Sequence, residues 1–166
     1  MTSSTAVSQN SLAQFAVISF DRHPDTSTHV PQQVTERLKA FGLQNLSTIT
    51  VDNLMPELAG QLARVDCAIF IDSPSVGNRV RVKVRALEAG GNEPAGSSVP
   101  ASGHSCDPST LLALTHSAYG RHPQSWLVQV YMPKMELVTP GDMEEALDLA
   151  ISRVESLMRP TSKRVS

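Results

Sequence analysis

The chain has 166 residues, enough for one domain that buries a core without disulfides or a structural metal. Its 14 Lys and Arg against 16 Asp and Glu leave a net charge of −2, which excludes a dedicated nucleic-acid or anionic-membrane binder, because such proteins carry a basic excess. Apolar residues make up 40%, charged residues 18% and aromatic residues 4%, a composition that excludes disorder over the whole length and suits an α/β domain built from aliphatic side chains.

Residues 1–12 are rich in Ser and Thr and read as a disordered tail. They lack the cationic start and apolar run of a secretory signal, and no stretch approaches the roughly 18 apolar residues of a spanning helix, so a cytoplasmic protein is expected. The run Gln14 to Phe20 is apolar, β-branched in part and too short for a helix, hence a first strand. Asp21 to His29 is polar and contains Pro24, hence a loop. Pro31 opens a helix in which Val34, Leu38 and Phe41 recur at helical spacing, and Gly42 ends it.

Leu46 to Val51 reads as a second strand with a turn at Asp52-Asn53, and Pro56 opens a short helix carrying Leu58, Leu62 and Val65 on one face. Cys67 to Ile71 is continuously apolar, the pattern of a central strand covered on both faces, with Asp72 at its end. Arg79 to Leu87 alternates with period two, which places Val80, Val82 and Val84 on one face and Arg79, Arg81, Lys83 and Arg85 on the other. That is a half-exposed strand, and its cations suit a sheet edge guarded against edge-to-edge pairing.

Glu88 to Gly103 has no periodicity and reads as a long mobile loop. Asp107-Pro108 pairs an N-cap acid with Pro at the first helical position; Leu111, Leu112, Leu114 and Ala118 form the expected inward stripe, and Gly120 stops the helix. Trp126 to Met132 is a further strand. A last helix starts at Thr139-Pro140, with Asp142 placed for a capping box, and turns Met143, Ala146, Leu147, Ala150, Ile151, Val154 and Leu157 inward. Residues 159–166 form a basic, disordered tail, leaving residues 13–158 as a single domain.

Strands alternating with helices predict a three-layer α/β/α sandwich around a twisted, mostly parallel sheet of about five strands, of the phosphorylase/hydrolase-like kind. Sites in such folds form beyond the carboxyl ends of the strands, where Asp21, Asp25, Asp52 and Asp72 fall. The sequence holds no nucleophile elbow, metalloprotease helix motif, phosphate loop or dinucleotide fingerprint. What remains is Asp72, His104 ahead of a helix, and His23, Asp25 and His29 in the first loop; carboxylates with imidazoles suit a borderline divalent cation such as nickel or zinc. An Asp after a strand also serves as an ordinary turn or cap residue. Cys67 and Cys106 lie far apart, form no C-x-x-C motif and are read as non-catalytic.

The segments LMPELAGQLARVDCAIFIDSP (Leu54 to Pro74) and HSCDPSTLLALTHSAYGRHPQSWLVQVYM (His104 to Met132), continued through Thr139 to Leu157, resemble the hydrogenase maturation endopeptidases. The resemblance implies a nickel-guided endopeptidase that trims the C-terminal extension from the large subunit of NiFe hydrogenase. Nickel would arrive on the substrate's own cysteines, with no tightly bound cofactor in the enzyme. It implies metal contacts at Asp72, which ends the third strand, and at His104, just ahead of the P-x-x-L-L helix.

The departure from that family is in the first loop. Members carry Gly-Asn after the first strand, then Leu, an Asp-Asp or Asp-Glu and Gly, the acid being the third contact. Here Phe20 to Pro31 has no Gly-Asn pair, and counting back from Glu36-Arg37-Leu38 puts Thr28 where the acid belongs. Thr brings no negative charge, so His29 or Asp25 is the expected substitute. The glycine-rich turn after strand two is replaced by Asp52-Asn53-Leu54-Met55. The implied partner is a hydrogenase large-subunit precursor met by a monomer, with no nucleic acid and no membrane. The alternatives are a catalytically degenerate member of the same fold acting as a binding or assembly factor, and an anion- or partner-binding module using Arg79, Arg81, Lys83 and Arg85.

Overall fold

The computed structural model describes residues 13–21, 28–74, 77–90 and 106–159. In chain order these form β1 (Phe15–Phe20), α1 (Val30–Ala40), β2 (Leu46–Val51), a 3-10 turn (Pro56–Leu58) running into the short α2 (Ala59–Leu62), β3 (Cys67–Asp72), β4 (Arg81–Leu87), α3 (Pro108–Tyr119), β5 (Gln124–Tyr131) and α4 (Pro140–Met158). The five strands make one sheet in the order β2-β1-β3-β5-β4. β1 pairs in parallel with β2 and β3, and β3 with β5. β4 alone runs antiparallel, against β5, at the outer edge, as its alternating charge predicted.

Helices cover both faces, the three-layer arrangement expected from the alternation of elements. One face of the sheet buries Ala16, Ile18, Phe20 and Phe70 against Leu58, Leu62, Leu111 and Leu112 of the 3-10 turn, α2 and α3. The other buries Val17, Ile69, Ile71 and Val128 against Val34 and Leu38 of α1 and Ala146 and Val154 of α4. β1 is buried at every position and β3 at all but its first residue, which is why both read as continuous apolar runs rather than alternating ones. The hydroxyls buried beside β1 are paired: Thr35 donates to Ser19 at 3.0 Å and Ser19 to Thr50 at 3.3 Å.

Local signals set the helix ends. The Asp107 carboxylate accepts from the Thr110 amide at 2.8 Å, and α3 stops at Gly120 with φ 77°, a conformation that disfavours any side chain. Thr139 and Asp142 complete a reciprocal capping box at 3.1 and 3.0 Å.

The inward stripe of α3 differs from the sequence expectation. Leu111, Leu112 and Thr115 are buried, Leu114 is half-buried and Ala118 is exposed. The last turn of α3, from His116 to Tyr119, is exposed throughout, so Ala118 lies beyond the buried part of the helix. Thr115 is accommodated inside because its hydroxyl donates to the Leu111 carbonyl at 2.8 Å. Both tails, apart from Arg159, and the loop from residue 91 to 103 lie outside the described residues.

Candidate active site

The carboxyl ends of β1, β2, β3 and β5 share one edge of the sheet because these strands are parallel. From β1 the chain crosses to β2 on one side; from β3 it continues toward β5 and β4 on the other. The connections therefore diverge between β1 and β3, the place where sheets of this kind carry their binding crevice. Asp72 ends β3 and Asp21 follows β1 at this divergence. The last paired residues are Ser19 and Ile71, with Phe20 and Asp72 next on each strand. Both acids are buried, Asp72 at 4% and Asp21 at 3% exposure. The backbone leaving Asp72 is held by Ser73, whose hydroxyl donates to the Val130 carbonyl at 3.0 Å.

His29 lies at the same edge as the residue that precedes α1. Its Nδ1 stands 3.6 Å from Oδ2 of Asp21, and its side chain is 46% exposed. Its φ of 60° is the one left-handed non-glycine conformation among the described residues, tolerated better by His than by most side chains. Thr28, at the position counted for the missing acid, has a buried Oγ1 with no hydrogen-bond partner among the described residues. Asp25, His23 and His104 lie outside the described residues. Among the described residues no three His, Cys, Asp or Glu side chains are grouped closely enough to hold a metal ion.

Asp21, one of the four strand-end acids, has no counterpart among the contacts the resemblance implies, and the structure brings it to the site. Its signal in the sequence is its position as the first residue after the first strand. Gln129 carries no local signal, and the charge pattern that singles out Lys83 does not show that it lies beside Asp72. Asp72 is directly opposite Gln129 on β5, and Gln129 is directly opposite Lys83 on β4, so the three side chains share one row and one face.

The cysteines offer no nucleophile. Cys106 donates its amide to the Leu54 carbonyl at 2.9 Å and its thiol to the same oxygen at 3.6 Å. Burial, reinforced by the neighbouring Asp107, pushes its thiol up to about 11, so it stays protonated at neutral pH. Burial raises the Cys67 thiol as well, with a smaller push from Asp66. Leu54, the anchor for Cys106, belongs to the segment that replaces the family's glycine-rich turn, and it is fully buried.

Comparison of the backbone with solved structures finds the same fold in several hydrogenase maturation proteases. The maturation protease HycI of NiFe hydrogenase from Thermococcus kodakarensis KOD1 superposes with a TM-score of 0.58 at 17% identity, over 89% of this chain and 94% of that one. The hydrogenase maturating endopeptidase HybD from E. coli gives 0.60 at 16% identity, over 90% and 94%. The chain has the hydrogenase maturation protease fold. The hydrogenase 2 maturation peptidase from a Thaumarchaeota archaeon agrees too, at 0.55 and 17% identity, over 87% and 97%. No protein-family model matches the sequence, and no curated protein does. The five-stranded, mostly parallel sheet of this fold is the α/β arrangement anticipated from the alternation of elements, and the order β2-β1-β3-β5-β4 is added by the structure. None of the described helices is long and apolar enough to cross a membrane.

Proposed function

We propose that this chain is an endopeptidase of the hydrogenase-maturation type, which removes the C-terminal extension from a nickel-loaded large subunit of NiFe hydrogenase. The observation that carries the reading is a carboxylate, Asp72, buried at the divergence of connections in a fold shared with maturation proteases. The cation belongs to the substrate, held by the substrate's cysteines. Asp72 and His104 contact it, and an atypical third partner comes from the first loop, either Asp25 or His29 with its companion Asp21. A carboxylate in a low-dielectric crevice attracts a divalent cation more strongly than one in water. Oxygen and imidazole donors also match a borderline ion such as nickel.

The part this chain plays is positional. Asp72 is fixed through the paired strand β3 and through the Ser73 hydrogen bond, so its carboxylate meets the substrate without prior ordering. Water adds across the scissile peptide bond, its hydroxyl going to the carbonyl carbon and its protons ending on the new amine and carboxyl groups. The enzyme acts as a cytoplasmic monomer, without nucleic acid or membrane.

Mass spectrometry of a nickel-loaded large-subunit precursor, incubated with this protein and separately with Asp72→Ala, tests the proposal. Release of a defined C-terminal peptide by the intact protein alone supports it. Absence of cleavage, with the Asp72→Ala and His104→Ala forms still fulfilling the biological role, favours the degenerate binding or assembly factor instead. Thr28, a neutral oxygen in the acid's place, is the observation on that side.

A further inference from the structure

The alternating cations of β4 are not absorbed by the function above. Arg79, Arg81, Lys83 and Arg85 are exposed, and none of them forms an ion pair among the described residues. In a chain with a net charge of −2, four cations within seven residues form a strongly one-sided patch. Val80, Val82 and Val84 face the core side that packs on α4, which leaves Arg81, Lys83 and Arg85 on the other face of the sheet. That is the face of Asp72, because Lys83, Gln129 and Asp72 are in one row.

Two of the cations are held in place. The Arg81 guanidinium lies 5.1 Å and the Lys83 ammonium 5.6 Å from the centre of the Tyr131 ring. Such contacts lower the entropy lost when the head groups meet an anion. Beside them an open cleft of about 530 Å³ is lined by Gly77, Asn78, Arg79 and Arg81.

Spacing selects the ligand. Successive cations on β4 are two residues apart, about 6.4 to 6.8 Å, which is the repeat of alternate side chains in any extended peptide. β4 is the last strand in the sheet, and among the described residues its outer edge carries no partner strand. An extended segment can therefore hydrogen-bond to that edge while its alternate carboxylates meet Arg81, Lys83 and Arg85. Lys83 is two strand spacings, about 10 Å, from Asp72. A few extended residues span that distance.

We propose that the basic face and free edge of β4 bind an extended acidic segment of the protein substrate and so direct the adjoining peptide to the Asp72 crevice. The substrate assignment rests on the endopeptidase reading; the peptide-binding surface does not. A compact anion such as free phosphate would use one or two of these cations, whereas an acidic strand uses the whole row.

Fluorescence anisotropy with a fluorescein-labelled peptide of alternating Glu and Thr, and with its Gln-for-Glu counterpart, tests the surface on the full chain. The Asp72→Asn form is used so that cleavage does not intrude. The expected result is binding of the acidic peptide about tenfold or more tighter than the neutral one. Binding is also expected to weaken roughly fivefold between about 50 and 300 mM salt and to be lost in Arg81→Glu/Lys83→Glu. The milder Arg81→Gln/Lys83→Gln form, checked for native circular dichroism, should lose most of the same preference. Equal binding of the two peptides is what a strand merely guarded against aggregation gives, and it overturns the proposal. So does binding that ignores the substitutions, or duplex DNA bound as tightly as the acidic peptide. Peptide binding, together with no cleavage of the precursor by the unsubstituted chain, would retain the surface and remove the endopeptidase reading, so the two fail separately.

Discussion

The imidazole Nδ1 of His29 stands 3.6 Å from the buried Oδ2 of Asp21, joining the end of β1 to the start of α1 at the divergence of the sheet's connections. With His29 nearly half exposed, solvent screens the pair, and its structural worth is small. A double-mutant cycle with Asp21→Asn and His29→Ala should give a coupling below about 1 kcal/mol in urea unfolding. If the pair supplies the third contact, processing of a nickel-loaded precursor should fall about tenfold or more in each single variant despite that small coupling. Unchanged processing would hand the third role to Asp25.

Asp72→Asn keeps the size of the side chain and removes its charge. It should leave the thermal midpoint within a few degrees of the parent and lower precursor processing by at least about a hundredfold. A parent-like rate, measured by the mass of the released peptide, would show that Asp72 caps the strand and does nothing more.

The end of α3 separates backbone from packing effects. At Gly120, φ is 77° and an added Cβ would meet nothing within 4 Å, so Gly120→Ala should cost about 1 kcal/mol through conformation alone. Ala118→Lys should stay within about 0.5 kcal/mol because the site is exposed, whereas Leu112→Ala should cost about 2–5 kcal/mol through the cavity it opens. Urea titration of the three variants measures all of this. A strongly destabilised Ala118→Lys would mean that the last turn of α3 packs inward after all.

Cys106 makes stability depend on alkaline pH. Its thiol is neutral when protonated, and burial raises its folded value to about 11 from an ordinary value near 9. The protonated form is thus the one the fold prefers, and its contribution is intact below about pH 9 and lost as pH climbs toward 11. The stability difference between the parent and Cys106→Ala should be flat up to pH 9 and then shrink. Iodoacetamide should modify Cys106 at pH 8 more slowly in the folded chain than in urea, and equal rates would contradict the burial.

Much of this protein is legible in local sequence. The apolar runs at residues 15–20 and 67–71 announce buried parallel strands, the alternation around Arg81, Lys83 and Arg85 announces an edge strand, and Asp107-Pro108 and Thr139-Pro140 mark helix starts. Each rests on a rule acting over a few residues: strand period, helix capping, turn chemistry. Tertiary structure alone decided which of these elements became neighbours. That Asp72 shares a row with Gln129 and Lys83 follows from pairing between strands 57 and 46 residues apart in the chain, through Asp72↔Gln129 and Gln129↔Lys83. That Asp21 meets His29 depends on where α1 settles on the sheet. That Ala118 faces solvent depends on how far along the helix the packing of α3 extends. Such relations are set by strand order and by the shared burial of two sheet faces, which involve the whole chain at once and leave no mark on any short stretch of it.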